Sequence, residues 1–425
     1  VFEHVNSLKL YSANAFYFSH VDASSDFKLN LCLFDAVCIH FSVRLPFDQV
    51  SQSLATSLER YRGLKFLFIQ DEYDFALRTR YWILRLGFHL IFTTVPSESV
   101  EKIYPSSTFK DTRFVQVLTG YVPAQASLFS ELPPPSRRPI LVGYRGRPLP
   151  LRYGQLGFDK VRIGELVKNY CDRHQLESDI AWSEEARIYG SAWYDFLGRC
   201  RAMLGSESGS NVFDWNGDLS EVILQYKRTH PNLGHRQVYD AVIRGIEVDG
   251  LMNQVSPKIF EAIAFRTALV LFEGAYSGVV RPWDHYIMLK KDGSNLDEVF
   301  RLLRDDVYVD AMVQRAWFDV IDSGRFSYGA FVRLVDKEVA RSLLDLRLPK
   351  GVGTEDQVRA LSSVTLSPVR SAPPKPSTDT VVNTVVGSAS GRELVWRLAI
   401  FFWLKVPESV RSVLKPRLKQ LLRKV

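Results

Sequence analysis

Read for its apolar and polar positions, the first third of the chain switches repeatedly between two periods. Residues 34–42 (FDAVCIHFS) are an apolar run with β-branched members, the pattern of a strand buried on both faces. Val50, Leu54 and Leu58 then recur every fourth position and predict a helix over 47–62. A second apolar run at 64–69, a helix over 76–86, a short strand at 89–93 and a short helix at 96–104 continue the alternation. Strands alternating with helices predict a doubly wound parallel sheet, with ligands beyond the carboxyl ends of its strands. Asp71 and Glu72 lie at such an end.

The triple proline at 133–135 marks a linker. A strand restarts at 140–144 and runs into a turn carrying Gly143, Arg145, Gly146 and Arg147. Helices over 163–173 and 193–200 follow, then a strand at 202–205 that ends in Ser206, Glu207, Ser208 and Gly209. Residues 218–250 are polar with helical spacing and have the character of an insertion. Ser256 has the chemistry of an N-cap and Pro257 that of a first helical residue. Phe260, Ile263 and Ala264 give that helix one apolar face, and a buried strand at 267–272 comes next. Residues 273–278 form a Gly-rich turn, and 295–345 are mostly helical, with a last helix expected to cross back to the first domain.

A helix whose free N–H groups open into a cleft is suited to an anion. Lys258 and Glu261 stand one turn apart on that helix, so a cation and a carboxylate face one pocket. The stretch SPKIFEAIAFRTALVLFEG resembles the donor-binding segment of GT-B glycosyltransferases, whose pattern is hydrophobic-Glu-Ala-x-Ala-x-Gly-Thr. WDHYIMLKKDGSNLDEVFRLLRDD resembles the strand and helix with which such enzymes continue. The nearest groups are CgeB-like and group 1 enzymes of bacterial polysaccharide clusters, and the resemblance spans residues 138–304. It implies an α/β fold of two Rossmann-like, doubly wound domains facing a cleft. Residues 1–135 would form the acceptor side and 139–325 the nucleotide-sugar side, with closing helices at 326–348. In these families a strand precedes the first helix; residues 1–11 already have the pattern of that helix, so an upstream strand is expected. Two departures stand out. Arg266 occupies the Gly position, and the Glu-x7-Glu pair is absent because Asn253 stands eight residues before Glu261.

At 425 residues, 46% hydrophobic and 24% charged, the composition is that of a globular protein of two or three domains. Cys32, Cys38, Cys171 and Cys200 are scattered without a C-x-x-C, which indicates neither a zinc site nor a disulfide framework and fits a reducing cytoplasm. The net charge of +7 does not argue for nucleic acid, since residues 392–425 alone hold nine Lys or Arg against Glu393 and Glu408. A Ser-, Pro- and Thr-rich linker over 349–391 precedes that tail. The apolar run 394–404 is too short for a bilayer that needs roughly 20 residues. With Trp396 and Trp403 and a basic segment beyond Pro407, it predicts attachment to an anionic membrane surface from the cytoplasmic side.

The resemblance implies a glycosyltransferase moving a sugar from a nucleotide-sugar donor to a glycan or lipid-linked acceptor of a bacterial surface polysaccharide. Glu261 would hold the ribose. Ser256, Lys258, Arg145, Arg147, Tyr276, Ser277 and Gly278 would surround the phosphates, with Glu207 near the donor sugar. Asp71, Glu72 and His285 are the candidates for the group that takes the acceptor proton. No Asp-x-Asp is present, so neither metal nor other cofactor is expected. A sugar-nucleotide epimerase of similar fold, or a non-catalytic scaffold, are the alternatives.

Overall fold

The computed structural model describes residues 1–123, 132–354 and 356–357. The expected linker beyond 357 and the basic tail at 392–425 lie outside them. Among the described residues, no helix is long and apolar enough to cross a membrane.

The first sheet has four parallel strands in the order β1 (Ala36–Ile39), β2 (Leu64–Ile69), β3 (Leu90–Thr93) and β4 (Arg113–Gln116). Helices α2 (Gln52–Arg60), α3 (Ala76–Leu86) and the short α4 (Val100–Ile103) connect them. The side chains alternate between faces as the pleat requires. Leu67, Ile69 and Ile91 meet Leu54, Leu58, Ile83 and Leu86 of α2 and α3. Phe66, Phe68, Leu90 and Phe92 point to the other face. There they are covered by Leu8 of α1 (Phe2–Tyr11) and by Phe331, Val332, Val335 and Val339 of the last helix, α12 (Tyr328–Leu346). Ion pairing of Arg113 with the buried Glu338 at 2.7 Å, and three bonds from residues 12–14 to Asp336, fix α12 there.

The second sheet has five parallel strands in the order β6-β5-β7-β8-β9. These are β5 (Ile140–Arg145), β6 (Ser178–Ala181), β7 (Cys200–Gly205), β8 (Ala268–Phe272) and β9 (Ile287–Leu289). Helix α5 (Gly154–His174) and α6 (Ser191–Arg199) follow β5 and β6. The insertion folds as α7 (Leu219–Thr229) and α8 (His235–Val242), and α9 (Pro257–Ala264) leads into β8. Helices α10 (Leu296–Arg304) and α11 (Asp306–Trp317) close the sheet. Met203, Leu269 and Leu271 pack on α6 and α9, while Val142, Leu204, Val270 and Phe272 pack on α5 and α10. The chain thus has the two-sheet α/β layout expected of the GT-B class.

The two sheets belong to one body, and their carboxyl ends meet. Gln254, just before α9, donates Nε2 to the carbonyl and hydroxyl of Thr94 beyond β3, at 3.0 and 2.7 Å. Gly120 lies against Pro257, where a Cβ would sit 3.0 Å from that ring, so a larger residue would make the two domains shift slightly apart here. Ala76 and Leu77 donate backbone N–H groups to Asp214 and Trp215 of the second domain, each at 3.0 Å. Arg152, just before α5, pairs with the buried Asp74.

Candidate functional site

The facing strand ends gather one group of charged side chains. Lys160 projects from the second turn of α5, partly buried, and donates to the carbonyl of Glu207 and the hydroxyl of Ser208, both at 3.2 Å. Burial, reinforced by the nearby Lys258 charge, pulls its ammonium down to about 8, against the opposing pull of Asp159 and Glu207. Lys258, in the first turn of α9, donates to the carbonyl of Arg145 at 2.9 Å and lies over the Trp193 ring. Its pKa is lowered by burial and by the neighbouring Arg187 and Arg145 charges, while Glu261 opposes the shift. Glu261 accepts the Trp193 indole N–H at 2.8 Å, and burial raises its pKa. Lys160 is partly buried and Lys258 exposed, and the Lys258 charge adds to the desolvation that disfavours the charged form of Lys160.

Lys160 was missed in the sequence. A lysine on a helix reads as a solvated charge, yet Lys160 sits four residues after Leu156 and three before Ile163, both buried. That position on the apolar stripe was the available signal.

Several expected contacts are not made. Arg145 does not fork toward the cleft. Its guanidinium turns back onto Asp179 at 2.8 Å, onto the Tyr144 and Asp179 carbonyls, and over the Phe196 ring. Ser256 has the backbone of an N-cap but makes no side-chain capping bond. Tyr276 is fully buried and gives its hydroxyl to the Phe272 carbonyl at 2.6 Å. The Ser277 hydroxyl accepts the Val255 N–H at 3.1 Å, and Gly278 gives its N–H to Ala275. The side chains of Tyr276 and Ser277 therefore shape the turn rather than line an anion pocket. Tyr276, Ser277 and Gly278 are all left-handed, at φ 47°, 53° and 71°. Arg147 is exposed.

Glu207 is buried at the end of β7, and its carboxylate has three donors. Oε1 accepts the backbone N–H groups of Ala275 and Tyr276 at 3.1 and 2.8 Å, and Oε2 accepts Nδ2 of Asn253 at 2.5 Å. His285 is also buried, with both ring nitrogens engaged: Nε2 pairs with Asp319 at 3.0 Å, and Nδ1 accepts the Arg281 N–H at 3.3 Å. It faces the helical turn Phe318–Asp322 just after α11, and burial lowers its pKa.

The two acidic candidates of the first domain separate. Asp71 is exposed, left-handed at φ 59°, and accepts the Tyr73 hydroxyl at 2.7 Å. Glu72 is 1% exposed and turned inward, onto the hydroxyls of Thr93 and Thr94. Burial drives its carboxyl up to about 8. Closed to solvent and bonded to both threonines, Glu72 supports the Thr94–Gln254 contact between the domains. Among the described residues, no group of three or more His, Cys, Asp or Glu is placed to hold a metal ion.

No protein-family model matches the chain, and no curated protein matches it. Among solved structures it is similar to an alpha-glucosyltransferase in complex with UDP-glucose and DNA, at 9% identity and TM-score 0.41, over 79% of this chain and 83% of that one. It is similar to sucrose-phosphate synthase from Thermosynechococcus elongatus at 13% identity and TM-score 0.34, over 73% of this chain and 74% of that one. TarM is similar over 65% of this chain, at 10% identity and TM-score 0.38, and the chain spans 50% of TarM's length.

Proposed function

We propose that the protein transfers a sugar from a nucleotide-activated donor to an acceptor hydroxyl. The observation that carries this is the crowding of Lys160 and Lys258 beside the start of α9, with Glu261 one turn further on. Two cations and a helix N-terminus suit a diphosphate, and the carboxylate suits ribose hydroxyls. Exposed Arg147 adds a third cation, while Arg145 contributes its carbonyl by fixing Lys258. As the acceptor oxygen bonds the anomeric carbon, the bond to the nucleoside diphosphate breaks and its electron pair leaves with the phosphate. Lys160 and Lys258 stabilise the charge that grows there, so the step needs no metal. The acceptor proton passes to a carboxylate on the first domain, and of the two beyond β2 Asp71 is the one open to solvent.

Calorimetry with UDP, GDP, CMP and dTDP tests the reading. One of them should bind, and Glu261→Ala should weaken it by roughly 1.5–3 kcal/mol, as for loss of a hydrogen bond to a charged group. Equal binding by a folded Glu261→Ala variant refutes the ribose assignment. The finer proposal is a glycan or lipid-linked acceptor of a bacterial surface polysaccharide, met at the inner face of the cytoplasmic membrane, with residues 392–425 as the anchor. A chain cut after Ser390 should then lose binding to anionic vesicles.

A further inference from the structure

The turn 273–278 has the backbone of an anion site, but a protein group already occupies it. Ala275 and Tyr276 aim consecutive N–H groups at one point, as in the backbone nests that hold phosphates. That point is Oε1 of Glu207. The other carboxylate oxygen is taken by Asn253, the residue that stands in for the first acid of the Glu-x7-Glu pair. A glutamate at 253 would put two carboxylates at hydrogen-bonding distance, so an amide is the side chain that fits beside Glu207.

The fit around this carboxylate is close. A Cβ on Gly274 would lie 2.7 Å from Oε2 of Glu207, and glycine there lets the turn close over it. The Glu207 carbonyl and the next residue's hydroxyl hold Lys160. Ser208 pairs through both backbone groups with Gln254, at 2.8 and 2.9 Å, and Gln254 reaches Thr94 of the first domain. The Glu207 side chain therefore joins the turn after β8 to the segment before α9, while the backbone at 207–208 and the Ser208 hydroxyl carry the cation on α5 and the domain contact.

We infer that Glu207 is a positioning residue, an internal hydrogen-bond acceptor that permanently fills the backbone nest of the 273–278 turn and so holds in place the end of β7, whose backbone carries Lys160, and the start of α9 for the donor diphosphate. The inference rests on the proposed donor site. It assigns the nest to the protein and leaves the ligand's phosphates to the lysines. It also separates Glu207 from any reacting carboxylate, because its lone pairs point at donors of its own domain.

The test is binding of UDP and of inorganic pyrophosphate to the full chain. Glu207→Ala should weaken both at least tenfold. Glu207→Gln should restore affinity to within about threefold of wild type, since an amide oxygen still accepts the two N–H groups and Asn253 can turn its own oxygen to the new NH2. Gly274→Ala, which crowds the carboxylate without removing it, should weaken binding as Glu207→Ala does and serves where the latter fails to fold. The amides of Ala275 and Tyr276 should be protected from hydrogen exchange with and without UDP. Unchanged binding in the Ala variant overturns the inference, as does failure of Gln to restore it. Tighter pyrophosphate binding in Glu207→Ala, or loss of amide protection on adding UDP, would make Glu207 a displaceable plug and overturn it too. A wild-type chain that binds none of the four nucleotides refutes the donor site itself, whereas wild-type binding with the wrong variant pattern refutes only the role of Glu207.

Discussion

Replacing Glu72 by Gln is expected to stabilise the protein, increasingly so as pH rises. Glu72 is 1% exposed, and burial lifts its pKa from 4.5 to about 8; the Asp71 charge adds to the shift and the Thr93 and Thr94 hydroxyls oppose it. The sign follows from proton counting. Between those two pKa values the unfolded chain releases the proton and the folded chain keeps it, so stability falls as pH rises. Below the lower value both states are protonated, and above the upper value both are ionised, so the slope vanishes at each end. Each unit of difference is 1.36 kcal/mol, so the wild-type chain should lose about 3 kcal/mol between pH 5 and pH 8 through this group alone. Gln cannot ionise and can still bond the threonine hydroxyls. Urea unfolding of both chains at pH 5, 6, 7 and 8 measures the difference as a change in midpoint at constant m. The Gln variant should pull ahead steadily across the series. Parallel stability curves for the two chains would show that Glu72 is ionised in the fold, and would return it to the candidates for the acceptor's base.

Lys160 makes nucleotide binding pH-dependent. Its pKa of about 8 lies within reach of a titration, and a bound diphosphate favours the charged form, so affinity should fall as pH rises through 8. Lys160→Met should weaken UDP binding at pH 7 about tenfold or more and flatten that dependence; a Met variant that keeps the wild-type pH profile assigns the titration elsewhere. Asp71→Asn should lower turnover at least a hundredfold while leaving nucleotide affinity within about twofold, as expected for a group that acts only in the transition state. Calorimetry and transfer assays on the same preparation decide it, and an unchanged turnover removes Asp71 as the base.

The sheet interiors were legible because their signal is local. The expected strand at 64–69 and helix at 76–86 form over those residues, the helix ending at Gly87 in a left-handed C-cap. Two of the edge strands, β4 and β6, were not. Arg113–Gln116 and Ser178–Ala181 are four residues each, partly exposed and half polar, so neither makes an apolar run. Helix α5 was expected to begin at 163, because Pro150, Gly154 and Gly157 give its start the composition of a loop. The glycines instead allow close packing, Gly154 in the left-handed region against Glu247 and Val212. Arg266 is the most instructive departure from the family pattern. It sits at φ 49°, the backbone a glycine adopts without strain, and its side chain stacks on Trp317 and bonds Gln314 at 2.7 Å. Contacts some 50 positions away in the chain offset the strain. The role of Arg145 was hidden for a similar reason, since Asp179 is distant in sequence and adjacent only once β5 and β6 pair.

Helix α12 has a consequence for how the chain is made. It covers the face of the first sheet formed by Phe66, Phe68 and Phe92, yet it is synthesised after the whole second domain. On a translating ribosome the amino-terminal half emerges first with that aromatic face covered by α1 alone, and it stays so until residue 346 has left the exit tunnel. The order of completion is thus the reverse of the order of synthesis, since the second domain holds all its sheet helices before α12 appears. Chaperones that recognise exposed aromatic surface should dwell on nascent chains stalled near residue 320 and release those stalled well past 350. Ribosome-bound chains of graded length, probed by limited proteolysis, would reveal the switch. Protection of the first sheet before α12 emerges would show that α1 alone is cover enough.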